Sequence, residues 1–243
     1  MKKTLSIFVF TCMVSLSLIS QAQVTEQRGI ASLWKGIGGK LKWNNTDFIL
    51  FSANGNDAKY LLNGRKFLID KKTHKCRFEG KTVDGQNLVV LFDFKAGKIL
   101  RYYNNRKEVA KNSPEAQAAF QKINEQFLKD AALLFLPAFI DQPETKISKV
   151  GVKIYNAEKL QSFSFQLKDN NLTGDLLFNA ESGYIKQLVD KEGNEYVVNG
   201  YKDIGGGLIL PTSFHHTHHA DRNTSFTTVA AFTDIETDKF ESL

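Results

Sequence analysis

Cysteine, methionine and proline are nearly absent from this chain, at 2, 2 and 4 of its 243 residues. Cys12 lies in an apolar amino-terminal stretch, so a chain that loses that stretch keeps Cys76 alone and forms no internal disulfide. At roughly 220 residues the remainder buries enough apolar surface to fold without one. The local patterns that mark many enzymes are also missing. There is no phosphate loop, no dinucleotide-binding glycine fingerprint, no Gly-x-Ser-x-Gly elbow, no His-Glu-x-x-His and no Cys-x-x-Cys. Gly36-x-Gly38-Gly39 follows a helical pattern instead of a strand, and Gly205-Gly206-Gly207 reads as a flexible turn. No segment after residue 22 is long and apolar enough to cross a membrane. Basic residues outnumber acidic ones, 32 to 26, but they are spread along the chain, which argues against a nucleic-acid partner.

What is present begins with Met1-Lys2-Lys3, a short basic segment, followed from Leu5 to Ile19 by an uncharged apolar run. Ser20-Gln21-Ala22 then offers small residues at the two positions a signal peptidase reads. Residues 1–22 are expected to be a secretory signal peptide, cleaved before Gln23. The run is shorter than the ~20 residues of a spanning helix, which disfavours an uncleaved anchor. Thr11 before Cys12, and an apolar run continuing past it, disfavour a lipid-attachment site. The protein is therefore expected to be exported.

Residues 23–243 read as one domain, because nothing between them marks a linker. Ile30, Leu33, Trp34 and Ile37 are spaced for a short helix that Gly38-Gly39 ends. From Phe48 the period changes to two. Runs at Phe48–Ala53, Lys59–Leu62, Lys66–Asp70, Lys75–Lys81, Leu88–Phe94 and Ile99–Tyr103 are separated by Asn-Gly, Asp-Gly and similar turns, as in antiparallel hairpins. Ser113, Pro114 and Glu115 then suit the cap and first turn of a helix. Its stripe is Ala116, Ala119, Phe120, Ile123, Phe127, Ala131 and Leu134, and its end, from Ala131 to Leu136, is apolar nearly all round before Pro137. Seven strand candidates follow, among them Leu208–His219 and Ser225–Thr233. The expected fold is mostly β (α+β): a single curved antiparallel half-barrel sheet of about a dozen strands, with two main helices on its concave side.

Two features could carry chemistry. Cys76 shares a face with His74 and Phe78 in a strand-like run, and a small buried role suits it better than a reactive thiol. His215-His216-Thr217-His218-His219 is the one dense cluster of metal-ligating residues. If the strand continues through it, His216 and His218 share a face, the spacing of a chelating pair. No third ligand is evident, and a polar edge strand explains the run equally.

The organisation resembles the periplasmic lipoprotein carriers of the LolA-like fold, and in particular exported proteins of the outer-membrane lipoprotein-sorting type. The likeness is carried by Leu33-Trp34, Trp43, Phe67-Leu68-Ile69-Asp70, Arg77-Phe78-Glu79 and Asp84-Gly85. In the second half it is carried by Leu136-Pro137-Ala138-Phe139, Gly183-Tyr184-Ile185 and the stretch from Tyr201 to Pro211. The resemblance implies an antiparallel half-barrel closed by helices around an apolar cavity, in a protein of the periplasm or associated with the outer membrane.

The expected function is that of a binding or carrier protein, not an enzyme, holding a lipid, an acyl chain or another apolar ligand. Candidate cavity residues are Phe127, Ala131, Leu134, Phe135, Phe92 and Phe94. No cofactor is expected, and the partners are the apolar ligand and an envelope protein or lipoprotein. The alternatives are an envelope interaction or scaffold module using the sheet face, and a metal-dependent enzyme built on His215–His219.

Overall fold

From Phe48 onward, the large apolar residues of successive strands fall opposite one another, and this register organises the molecule. In the computed structural model, which describes residues 26–168 and 172–242, the expected leader (1–22) lies outside the described residues. Six strands form a first antiparallel meander: β1 (Phe48–Gly55), β2 (Arg65–Asp70), β3 (Lys75–Lys81), β4 (Asn87–Asp93), β5 (Lys98–Asn104) and β6 (Lys107–Val109). Phe51, Phe67, Phe78, Val90 and Tyr102 are paired across β1 to β5 as one ladder. Ile49, Ile69, Cys76, Phe92 and Ile99 make a second ladder beside it. All ten are buried, because alternate side chains of a strand share one face and that face meets the helices.

The second half repeats the plan from the other edge inward. β7 (Lys146–Tyr155), β8 (Glu158–Gln166), β9 (Thr173–Phe178), β10 (Ile185–Asp190) and β11 (Glu195–Asn199) form a second meander. β12 (Lys202–Asp203) and β13 (Ile209–Leu210) pair apart as a small hairpin. β14 (Ser213–His216) then lies beside β11, and β15 (Thr224–Phe232) fits between β14 and β1. The result is one curved thirteen-stranded antiparallel sheet, in the order β6-β5-β4-β3-β2-β1-β15-β14-β11-β10-β9-β8-β7, which stays open and does not close into a barrel.

Among the described residues four α-helices lie with this sheet, two of them long. α1 spans 26–36 and buries Leu33 and Trp34, with Ile37 just beyond its end. It seats tightly on the turn before β10: a Cβ on Gly36 would collide with the backbone of Gly183, itself at φ +74. α3 (Pro114–Leu134) starts as its sequence dictates, with the Ala116 amide donating to Ser113 Oγ at 3.2 Å. Its stripe residues are all buried, and Phe127 packs against Phe67, Phe92 and Phe94. The all-round apolar end is buried all round as well. Phe135 meets Phe51 on the sheet, Trp43, and Phe139 of α4 (Leu136–Phe139).

One inward slot of β2 holds a charge. Arg65 continues the alternation of Phe67 and Ile69, and it forms a fully buried ion pair with Asp130 of α3. Asn56 and Gln126 donate to the same carboxylate, at 2.7 and 3.1 Å.

Three local expectations differ from the structure. Gly38 and Gly39, at φ +90 and +105, end α1 as expected, but a short helix that the sequence did not announce, α2 (Lys40–Asn45), follows them. Lys59–Leu62 contributes only a bridge between Leu61 and Thr82. The expected strand Leu208–His219 breaks at Pro211, which has no N–H to give a ladder, and pairing resumes only from Ser213 to His216.

Candidate functional site

The sheet is wide and the helices cover it unevenly, so an opening remains where the end of α3 passes over β1 and β2. A cavity of about 420 Å³ lies there. One wall is α3, with Phe127, Leu128, Ala131, Ala132 and Phe135. Ile49 and Ile69 of the sheet form the floor, and Trp43, Phe94, Phe139 and Leu167 complete the apolar lining. The small side chains of Ala131 and Ala132, one turn after Phe127, leave the space that larger residues would fill. This volume lies within the range of roughly 300–1,000 Å³ common for small-molecule sites.

Four of the six residues expected at a cavity line this one: Phe127, Ala131, Phe135 and Phe94. Leu134 is fully buried in the main core and is not part of the lining. Phe92 sits behind the wall, stacked edge-on to Phe120 and Phe127. Sequence reasoning missed Leu128, Ala132 and Phe139, although all three lie in the helical region it singled out. It also missed Ile49, Ile69 and Leu167, which are ordinary strand residues until the topology brings them under α3.

The mouth is polar. Lys71, His74, Lys95, Gln142, Glu144, Thr145 and Lys168 surround it. Lys71 is the innermost charge. Its ammonium lies 4.1 Å from the centroid of the Trp43 ring and donates to the carbonyls of Trp43 and Thr46 at the end of α2. Burial pushes its pKa down to about 8, against the opposing pull of Asp47. Lys168 lies 3.7 Å from Glu144 across the opening.

A larger groove, about 570 Å³, lies on the outer face, where the carboxy-terminal segment packs over β1 to β3. Its charged residues pair among themselves, Lys66 with Glu79 at 2.9 Å, Arg77 with Glu79 at 2.6 Å and Lys239 with Glu236 at 3.4 Å. Arg77 also donates to the carbonyls of Lys239 and Ser242. Most of the charge in this groove is thus paired within the chain, so the concave cavity is the better candidate.

The histidine cluster is arranged differently from the expectation. β14 ends at His216, so His216 and His218 do not share a strand face, and their ring centroids are 6.4 Å apart. Nδ1 of His216 accepts from the backbone amides of His218 and His219, at 3.1 and 3.2 Å. An accepting Nδ1 leaves the proton on Nε2, which faces Asn194 Oδ1 at 3.3 Å. Both ring nitrogens are thereby engaged in holding the turn. Burial lowers the pKa of His216, with His219, Arg222 and His218 adding to the effect. Among the described residues, no group of three or more His, Cys, Asp or Glu is placed to hold a metal ion. Cys76 is fully buried in the second ladder, and burial pushes its thiol pKa far up, which keeps it protonated and inert.

No family model matches the chain, and no curated protein matches it. Among solved structures, it is similar to a domain from Vibrio parahaemolyticus provisionally assigned as an outer membrane lipoprotein-sorting protein domain. That match has 9% identity and a TM-score of 0.42, covering 83% of this chain and 93% of that one. MucB in complex with MucA(peri) is 11% identical at a TM-score of 0.29, covering 91% of this chain and 60% of that chain. MucB from the Pseudomonas aeruginosa MucA/MucB complex is 10% identical at a TM-score of 0.28, covering 92% and 61%. The chain thus spans about three fifths of the MucB chains.

Proposed function

We propose that this protein is an exported binding protein, with residues 23–243 as its working domain, that holds an acyl chain or another elongated apolar ligand in the concave cavity. The observation that supports this most is the construction of the α3 wall. The apolar end of the helix is almost wholly shielded from bulk solvent, and Phe127, Leu128, Ala131, Ala132 and Phe135 along it line the cavity. Apolar surface in that position gains free energy by excluding water, at roughly 25 cal/mol per Å². The signal-like residues 1–22 support export to the periplasm or the outer membrane. Among the described residues, no helix is long and apolar enough to cross a membrane. The interaction-module alternative draws less support, because most charged residues of the outer groove already pair within the chain. The enzyme alternative loses the histidine chelate on which it rested.

The test is direct binding. A fluorescent acyl chain, offered both as the acid and as the alcohol, should brighten on mixing and be displaced by unlabelled chains of similar length. Ala131→Trp should reduce binding at least tenfold with little change in melting temperature, since the new ring enters existing space. Absence of binding by either form at any chain length would remove this reading.

A further inference from the structure

The cavity mouth has a sign. Lys71, Lys95 and Lys168 line it together with His74, and Glu144 is the one carboxylate in its lining among the described residues. Glu144 is engaged with Lys168, which leaves Lys71 and Lys95 facing the opening without a lining acid. Lys71 also stands where the apolar walls meet the mouth, with its ammonium half-buried over Trp43. Removing an ammonium from water carries a large cost, which the Trp43 and Thr46 carbonyls and the pull of Asp47 offset only in part. Burial accordingly pulls the pKa of Lys71 down to about 8. A full negative charge at the mouth would offset that cost, as hydrogen bonds to ionised groups are about twice as strong as neutral ones.

Resting on the binding reading above, we propose that the ligand is a single-chain amphiphile with an anionic head, a carboxylate or a phosphate, whose chain lies against α3 and whose head lies at Lys71 and Lys95. The two ends of the site ask for different chemistry. Phe127, Ala131 and Phe135 exclude water and favour methylenes, while the lysines favour an acid over an alcohol or an amine of the same chain. Selectivity then resides in the mouth and affinity mainly in the wall.

The experiment displaces a neutral fluorescent acyl alcohol from the intact protein with four competitors of one chain length: hexadecanoate, hexadecyl phosphate, hexadecanol and hexadecyltrimethylammonium. Both anions should compete at least tenfold more strongly than the alcohol at low salt, and the ammonium should be weakest. The advantage should shrink as salt shortens the screening length from about 10 Å at 0.1 M to about 3 Å at 1 M. The better of the two anions identifies the head as fatty-acid-like or phospholipid-like. Acetate and inorganic phosphate should not compete, because they lack the chain. Lys95→Ala should narrow the acid-to-alcohol ratio several-fold, weakening both anions more than hexadecanol. Lys71→Met should narrow it further, with Lys95→Ala as the safeguard where loss of the α2 contacts lowers stability. Equal competition by acid and alcohol would overturn the headgroup assignment while leaving the cavity reading intact. Failure of all four chains would overturn both.

Discussion

Arg65 on β2 and Asp130 on α3 meet with no accessible surface on either side chain, Nε to Oδ2 at 2.6 Å and Nη2 to Oδ1 at 2.7 Å. The pair joins the sheet to the helix that walls the cavity. It also lies in a row whose other members, Phe67 and Ile69, are apolar, so each charge depends on the other for solvation. Asp130→Asn should therefore lower unfolding stability by roughly 3–5 kcal/mol, the usual result of stranding one buried charge. Replacing both, as Arg65→Met with Asp130→Leu, should recover most of the loss. Urea unfolding of the three proteins checks this, and an unchanged midpoint for Asp130→Asn would contradict the burial of the pair.

The helix wall has its own test. Phe127 has ring contacts with Phe67, Phe92 and Phe94, with centroids 5.3, 5.5 and 5.7 Å apart. Phe127→Asp would set an unpaired carboxylate among them. Its melting temperature should fall by on the order of 10 °C or more, since a few kcal/mol shifts a domain of this size by that amount. A thermal scan with no shift would mean that the α3 stripe does not pack on the sheet.

His216 provides a pH dependence whose sign can be worked out. Its folded pKa is lowered, mainly by burial, while the unfolded chain keeps the ordinary value near 6.5. The unfolded state then binds more protons over the window below that value. The contribution of His216 to stability is complete above about pH 7 and is lost as the pH falls through the ordinary value toward the lowered one. Protonation of Nδ1 would also remove the acceptor that holds the amides of His218 and His219. Wild-type protein should lose more stability between pH 7.5 and pH 5 than His216→Ala does. Equal losses, measured by denaturant midpoints at the two pH values, would remove His216 from this role.

Much of the architecture was legible because it rests on short-range rules. Asn-Gly and Asp-Gly turns, period-two runs and the Ser113-Pro114-Glu115 start specify hairpins and a helix with no knowledge of the tertiary fold. The shared inward face of Leu88, Val90 and Phe92 on β4, and of Cys76 and Phe78 on β3, was legible too, since it follows from alternation. What escaped depends on contacts distant in sequence. Ile49, Ile69 and Leu167 become cavity lining only because three separate segments converge under α3. Lys71 gains its half-buried position from Trp43, on a short helix that the sequence did not announce. The histidine run misled for a related reason. Its alternation assumed a continuing strand, while Asn223, whose Oδ1 accepts from the His216 amide, turns the chain there.

The central claim is that the concave cavity carries an acyl chain in the working protein. Native mass spectrometry of protein purified from its own envelope tests it most directly, comparing wild type with Ala131→Trp and with Leu128→Trp as a second cavity-filling variant. The account predicts a one-to-one adduct with the mass of a lipid on the wild type, absent or strongly reduced in both variants. Wild-type protein that carries no adduct even after incubation with envelope lipid, or an adduct that survives both substitutions, would contradict it.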